Sequence, residues 1–294
     1  MNDTKTLTDQ PEKDIWDIEI TPRNNLFDVK LADTWHYRDL LFLMVRRDFV
    51  SFYKQTILGP VWFFVQPVIT IIFYTLIFGG LAKIPVDGIP KPLFYLAGTI
   101  LWNYFSDCLI KTSTVFRDSA SLMGKVYFPR LIMPLSIIAS NLIRFGVQLI
   151  LFAALLIYYS VQAGHISFNV YALLFPLLVM LIAAQGLGLG MIISAVTTKY
   201  RDLAFVVGFG VPLLMYSTTV IYPLSYVQAR IPQYSWIIKY NPITPIIECF
   251  RFGFFGRGDF SWALLSYCGV VTALLLLLGI IIFNKVEKTF VDTI

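Results

Sequence analysis

Six stretches of about twenty apolar residues, at positions 61–81, 93–110, 131–159, 170–196, 203–222 and 262–283, constrain this chain more than any other feature. A helix rising 1.5 Å per residue needs about twenty residues to cross ~30 Å of hydrocarbon, and each block has roughly that length. In lipid every backbone N–H and C=O must be satisfied inside the spanning element, so blocks of this kind fold as helices. A water-soluble fold could not cover them: 57% of the chain is hydrophobic and 14% charged, against about 25% charged in soluble domains. The sequence therefore predicts an all-α integral membrane protein with six transmembrane helices, occupying residues 59–294.

The segments between and before the blocks complete this layout. Residues 1–31 are polar, with too little apolar content for a core, and read as a flexible cytoplasmic tail. Residues 32–58 are expected to form an interfacial amphipathic helix, with Arg38, Asp39, Arg46, Arg47 and Lys54 on one side and Leu41, Met44, Val45 and Phe52 on the other. Gly59-Pro60 then turns the chain into the membrane. Asp202 is placed to cap the fifth span, where a carboxylate suits the positive end of the helix dipole. Between spans five and six, Pro223, Pro232, Pro242 and Pro245 break residues 223–260 too often for one crossing. A seventh span at 237–255 would expose Asn241, Glu248 and Arg251 to lipid, so outer re-entrant gate helices buried against protein are expected instead.

Charge placement orients the chain. With the N-terminus inside, Arg46, Arg47, Lys54, Lys111, Arg117, Lys125, Arg130, Lys199, Arg201, Lys285 and Lys288 flank the membrane on the cytoplasmic side. The outer side holds Lys83, Lys91, Arg230, Lys239, Arg251 and Arg257. That bias predicts both termini inside. The net charge of +5 is spread over loops and forms no basic stripe, so nucleic acid is not an expected partner. Cys108, Cys249 and Cys268 are far apart and read as apolar packing residues.

Motifs exclude several function classes. No phosphate-binding Gly-x-x-x-x-Gly-Lys-Ser/Thr loop occurs, so any ATP must be used by a partner. No series of acidic or histidine side chains runs through the spans to relay protons, and no paired carboxylates mark a catalytic centre. Gly186, Gly188 and Gly190 lack a βαβ setting and point to close helix packing.

Three groups of side chains are candidates for contact with cargo. Arg144 lies near the middle of the third span, with Ser136, Ser140 and Gln148 at four-residue spacing and Asn141 beside it. An Arg facing lipid at mid-depth costs at least ~3 kcal/mol, so this stripe should face protein or water. Two readings stand: a structural hydrogen-bond network between helices, or a pore-lining contact for a polar substrate. Phe73, Tyr74, Trp102, Tyr104, Phe105, Tyr216 and Tyr222 lie within spans. Packing explains most such rings, while any that line a passage suit the C–H faces of sugars. Arg46, Arg47 and Lys54 either bind anionic headgroups generally or recognise a lipid diphosphate, which Arg meets in bidentate fashion.

A resemblance runs along almost the whole chain. Trp35, Tyr37-Arg38-Asp39-Leu40-Leu41, Arg47-Asp48, Tyr53-Lys54-Gln55-Thr56, Leu58-Gly59, Trp62 and Gln66-Pro67 closely resemble the start of the permease subunits of bacterial O-antigen polysaccharide ABC exporters. Lys125 to Arg130, Lys199-Tyr200-Arg201-Asp202, Asn241-Pro242 with Pro245, Glu248 and Arg251, and the ending Glu287-Lys288 with Phe290, Asp292 and Ile294 extend the likeness. The N-terminal tail is longer than in that family. The resemblance implies a homodimeric channel on two copies of a separate ATP-binding subunit, which would hold the ATP and Mg, with no cofactor in this chain. It implies a coupling helix at 117–124, including Arg117, Asp118 and Ser119, and a second ATPase contact at Tyr200, Arg201 and Asp202. The expected cargo is lipid-diphosphate-linked polysaccharide, held by Arg46, Arg47, Lys54, Trp102, Arg144 and Tyr216. Capsule, teichoic acid or drug export by the same superfamily are the alternatives, and a lipid-linked-sugar enzyme is the competing class.

Overall fold

The computed structural model describes residues 31–54, 56–123, 125, 128–163 and 169–291, without the side chains of 31–33, 52, 53, 163 and 287–291. Among them the chain is helical. The thirteen α-helices are α1 (Leu31–His36), α2 (Arg38–Tyr53), α3 (Trp62–Tyr74), α4 (Lys91–Ser113), α5 (Val115–Asp118), α6 (Ala120–Met123), α7 (Ile132–Ala163), α8 (Phe175–Lys199), α9 (Leu203–Leu214), α10 (Leu224–Arg230), α11 (Ser235–Lys239), α12 (Thr244–Phe255) and α13 (Trp262–Val291). The expected tail, apart from Leu31, lies outside the described residues.

Five helical stretches are long and apolar enough to cross a membrane: Gly59–Leu81, Lys91–Ser113, Ile132–Gln162, Val170–Lys199 and Trp262–Val286. They correspond to five of the six expected spans. The remaining segment is shorter than its sequence suggested. α9 has 12 residues and a 3-10 turn of 3 more, about 22 Å in all. At Thr218 the backbone turns extended. Beyond it Pro223 offers no N–H to the Thr219 carbonyl, and the carbonyls of Thr219 and Val220 accept hydrogen bonds from Arg251 instead, at 2.6 and 3.0 Å.

α4 is the axis of the subunit. In its most apolar window 78% of residues are buried, against 17–28% in the other four long helices. α7 and α8 pack along it, and α3, α9 and α12 close the remaining sides. Helix approach is set by glycine, as expected from Gly186, Gly188 and Gly190. A Cβ on Gly186 would lie 2.8 Å from Cys108, and one on Gly190 2.6 Å from Thr112, both in α4. Gly188 faces the opposite way onto α13, where a Cβ on Gly279 would meet the Gly188 carbonyl at 2.7 Å. α8 is thus held on two faces by backbone-close packing. Gln185 adds a polar tie, donating to Thr272 Oγ1 at 3.0 Å and to the Pro242 carbonyl at 3.3 Å.

The core divides in two. The larger cluster surrounds α4 and α12. A second, smaller one gathers Met44 of α2, Val115 and Phe116 of α5, Met123, Met191 and Phe283 at the other end of the bundle. On α2 Met44 and Val45 are buried and Arg46 and Arg47 exposed, but Phe42 and Leu43 are exposed as well, so the two faces of the helix are only partly segregated. It is broken from α1 at Tyr37, ends at Tyr53, and gives way to a turn in which Gly59 takes φ +52°.

Candidate transport site and ATPase-facing surface

The end of the bundle that carries α5 gathers the loop residues singled out in the sequence. α5 has an inward and an outward side within four residues. Val115 and Phe116 are buried, with the Phe116 ring stacked 4.5 Å from that of Phe283 in α13. Arg117 and Asp118 pair at 2.9 Å on the outside, each side chain about half exposed. Thr114 Oγ1 donates to Asp118 at 2.7 Å and fixes the start of the turn. Ser119 is half-buried, and its carbonyl accepts the N–H groups of Leu122 and Met123. Gly124 lies outside the described residues.

Tyr200, Arg201 and Asp202 are exposed at the same end, because Thr197 Oγ1 of α8 bonds to the carbonyl of Ser113 beside α5. The Lys199 ammonium lies 5.2 Å from the centre of the Tyr200 ring. Asp202 occupies the N-cap position of α9, but its carboxylate makes no capping hydrogen bond, contrary to the sequence expectation. It remains a surface charge next to the positive end of that helix.

Arg46, Arg47 and Lys54 are exposed on and after α2. Arg47 is engaged locally, with Nη2 donating to Asp48 Oδ1 at 2.8 Å. Arg144 lies on the α5 side of the midpoint of α7 (Ile132–Ala163). Its Nη1 donates to Asp107 Oδ2 at 2.8 Å, and its guanidinium sits 5.4 Å from the centre of the Phe63 ring at the start of the first span. Phe63 in turn stacks on Phe49 of α2 at 5.9 Å. One turn further along α4, Lys111 Nζ donates to Asn141 Oδ1 at 2.8 Å. Ser136, Asn141 and Gln148 are buried, so the polar stripe on α7 faces protein. Asp107 and Lys111 are the partners that sequence reasoning missed. Their signal was available, since a carboxylate and an ammonium four residues apart at the end of an apolar block need counterparts on a neighbouring helix.

The aromatic candidates separate. Trp102 is 4% exposed, enclosed in the core with its ring 5.4 Å from that of Phe105. Tyr216 is 52% exposed at the far end of α9, where its carbonyl accepts the Tyr222 hydroxyl. The six cargo candidates therefore do not meet within one subunit: Arg46, Arg47, Lys54 and Arg144 share the α5 end, Trp102 is inside, and Tyr216 is toward the opposite end.

That opposite end is organised by α12. Arg251, 1% exposed, donates to the carbonyls of Thr219, Val220 and Phe94 and lies 3.4 Å from Glu248. Its guanidinium is 3.6 Å from the centre of the Phe94 ring. A Cβ on Gly98 would come within 2.9 Å of the Val220 carbonyl, so only glycine lets this loop reach α4. Asn241 Nδ2 bonds to the Ser217 carbonyl at 3.0 Å and its Oδ1 accepts the Ile243 N–H, closing the base of the α10–α11 segment. The expectation that Asn241, Glu248 and Arg251 avoid lipid agrees with this burial. Among the described residues no group of His, Cys, Asp and Glu is arranged to hold a metal ion.

Long lipid-length helices around a buried axis, with polar loops gathered at one end, define a multi-pass membrane transport subunit. The chain belongs to the ABC-2 type transporter family, whose pattern matches residues 39–255. It is 27% identical to the O-antigen export system permease protein RfbA of Myxococcus xanthus, over 90% of this chain and 98% of that protein. With the protein of the same name from Klebsiella pneumoniae it shares 26% over 86% of this chain and 94% of the relative. The inner membrane transport permease YadH of Escherichia coli K12 is 23% identical over 76% and 87% respectively. Membership in this family implies an ABC ATPase as partner.

Proposed function

We propose that two copies of this chain, seated on two copies of a separate ATP-binding subunit, form the channel that exports a lipid-diphosphate-linked polysaccharide of the O-antigen type across the inner membrane. The observation that carries this reading is the breadth of the match: the O-antigen export permeases align over 86–90% of this chain and 94–98% of their own length. The α5 end faces the cytoplasm in this reading, as do both termini, in keeping with Lys111, Arg117, Lys125, Arg130, Lys199 and Arg201 clustered there. Leu203–Ser217 serves as a sixth crossing, its missing length made up by the loop held on Arg251, and α10–α12 form the outer gate. ATP and Mg belong to the partner.

The path follows from the placement of charge. Arg46, Arg47 and Lys54 hold the lipid diphosphate at the inner surface, with Arg144 on the inward side. Closure of the ATPase presses on Arg117, Asp118 and Ser119 and on Tyr200, Arg201 and Asp202. The buried side of α5 passes that push to Phe283 and Met44, a rigid-body shift of packed elements. Glycan then slides past aromatic faces, with Tyr216 near the exit and Trp102 reached only by separation of the helices around α4.

Replacing Arg46 and Arg47 together by Ala is expected to lower export about tenfold or more at unchanged membrane insertion. Unaltered export would remove the headgroup assignment. Replacing Arg117 and Asp118 by Ala should leave ATP hydrolysis running without transport, and full coupling in that variant would remove the ATPase contact.

A further inference from the structure

The loop between the first two spans contains an unassigned cationic cavity. The first span ends in a π-helical turn, Thr75–Leu81. Its wider ladder sends the Ala82 N–H to the Ile77 carbonyl and the Ile84 N–H to the Phe78 carbonyl, leaving the carbonyl of Gly79 free for a side chain. Lys91 Nζ takes it at 2.6 Å. Lys91 lies close over Gly79, and a Cβ there would come 2.8 Å from Lys91 Cδ and push the side chain aside. Beside this contact is a cavity of about 430 Å³, lined by Gly79, Gly80, Ile84 and Val86 with Lys83 and Lys91. Among the described residues no acidic side chain lines it. The neighbouring Asp87 is turned to Ser225, whose hydroxyl donates to its carboxylate at 3.0 Å.

We propose that this cavity binds the phosphate group of a membrane lipid. Lys83 adopts φ +50°, a left-handed conformation that side-chain-bearing residues rarely take. Among the described residues its ammonium has no hydrogen-bond or ion-pair partner. Lys91 uses one of its three donors on Gly79, so two cations with spare donors face one cavity. Lysine meets phosphate as a point charge, and the site lies where a span leaves the hydrocarbon, at headgroup depth. Two lysines on the outer side also run against the charge bias of membrane loops, which calls for a use. That last step rests on the orientation given above; the cavity and its charge do not.

The test is native mass spectrometry of the full-length chain titrated with phosphatidylglycerol, phosphatidylcholine, a polyprenyl diphosphate or inorganic phosphate. Lys83→Gln should weaken retention of an anionic lipid about fivefold, Lys83→Gln with Lys91→Gln roughly thirtyfold, and Lys83→Arg little. Selective retention of phosphatidylglycerol identifies a phospholipid as the occupant, and of polyprenyl diphosphate the carrier lipid. Equal retention by wild type and the double variant overturns the site, as does inorganic phosphate competing as well as either lipid. Labelling of a Lys83→Cys variant by a membrane-impermeant maleimide separates the two claims. Reaction only in inverted vesicles contradicts the orientation while leaving the lipid result to decide the cavity.

Discussion

Two arginine–carboxylate pairs hold this subunit together, and they are built for different tasks. Arg251 and Glu248 are 1% and 3% exposed and 3.4 Å apart, while Arg144 and Asp107 are 22% and 33% exposed and 2.8 Å apart. The deeper pair has the poorer direct contact. Its arginine spends its donors on three backbone carbonyls from two other segments, so the ion pair neutralises a charge whose main work is to hold a loop. The shallower pair is a charge-assisted bond between α4 and α7, backed by Phe63 and, through it, by α2. A guanidinium serving carbonyls cannot let go without stranding them in an apolar interior, whereas a partly exposed pair can exchange partners with water or an anion. The Arg251 contacts therefore tie α12 firmly to α4 and to residues 219–220, whereas the Arg144–Asp107 pair at the other end can rearrange.

Breaking the deep pair should do the most damage. Arg251→Met leaves Glu248 and three carbonyls without their donor, and about 3–5 kcal/mol of stability is expected to go. Thermal unfolding of the purified chain in detergent reads this, and a melting temperature within error of wild type would show that the carbonyls find other donors. Gly279→Ala forces a methyl against the Gly188 backbone and should cost about 1–3 kcal/mol in the same assay. Arg144→Met is expected to lower stability less than Arg251→Met yet lower transport more than its stability loss explains, because the pair it breaks is partly solvated. Transport falling only in proportion to folded protein would erase the contrast between the two ends. The exposed Arg47–Asp48 pair marks the lower limit: Asp48→Asn should shift stability by no more than about 1 kcal/mol.

Much of this arrangement was readable in the sequence, for reasons that particular residues make plain. Block length fixed the helical membrane class, and Asn241, Glu248 and Arg251 within an apolar run identified α12 as protein-facing. Periodicity placed Arg46 and Arg47 opposite Met44 and Val45. The short fifth segment was only partly legible: Pro223 marked a helix end, but the bonds from Arg251, more than thirty positions away, to the Thr219 and Val220 carbonyls could not be read from local sequence. Trp102 and Tyr216 looked alike for a related reason. Both are rings inside apolar blocks, but α4 is buried on nearly every side and so carries no periodic pattern to reveal which faces point inward. Arg144 was recognised as needing a polar neighbour, while Asp107, which supplies it, went unremarked beside Lys111.

As a conduit, this chain should draw its work from a separate ATPase. Proteoliposomes loaded with ATP-regenerating mix, lipid-linked glycan and the chain alone or with its ATPase decide this. Glycan should cross only when the ATPase and ATP are both present, and should stop when Arg117 and Asp118 are replaced. Accumulation against a gradient by the chain alone would show that it is not a passive conduit.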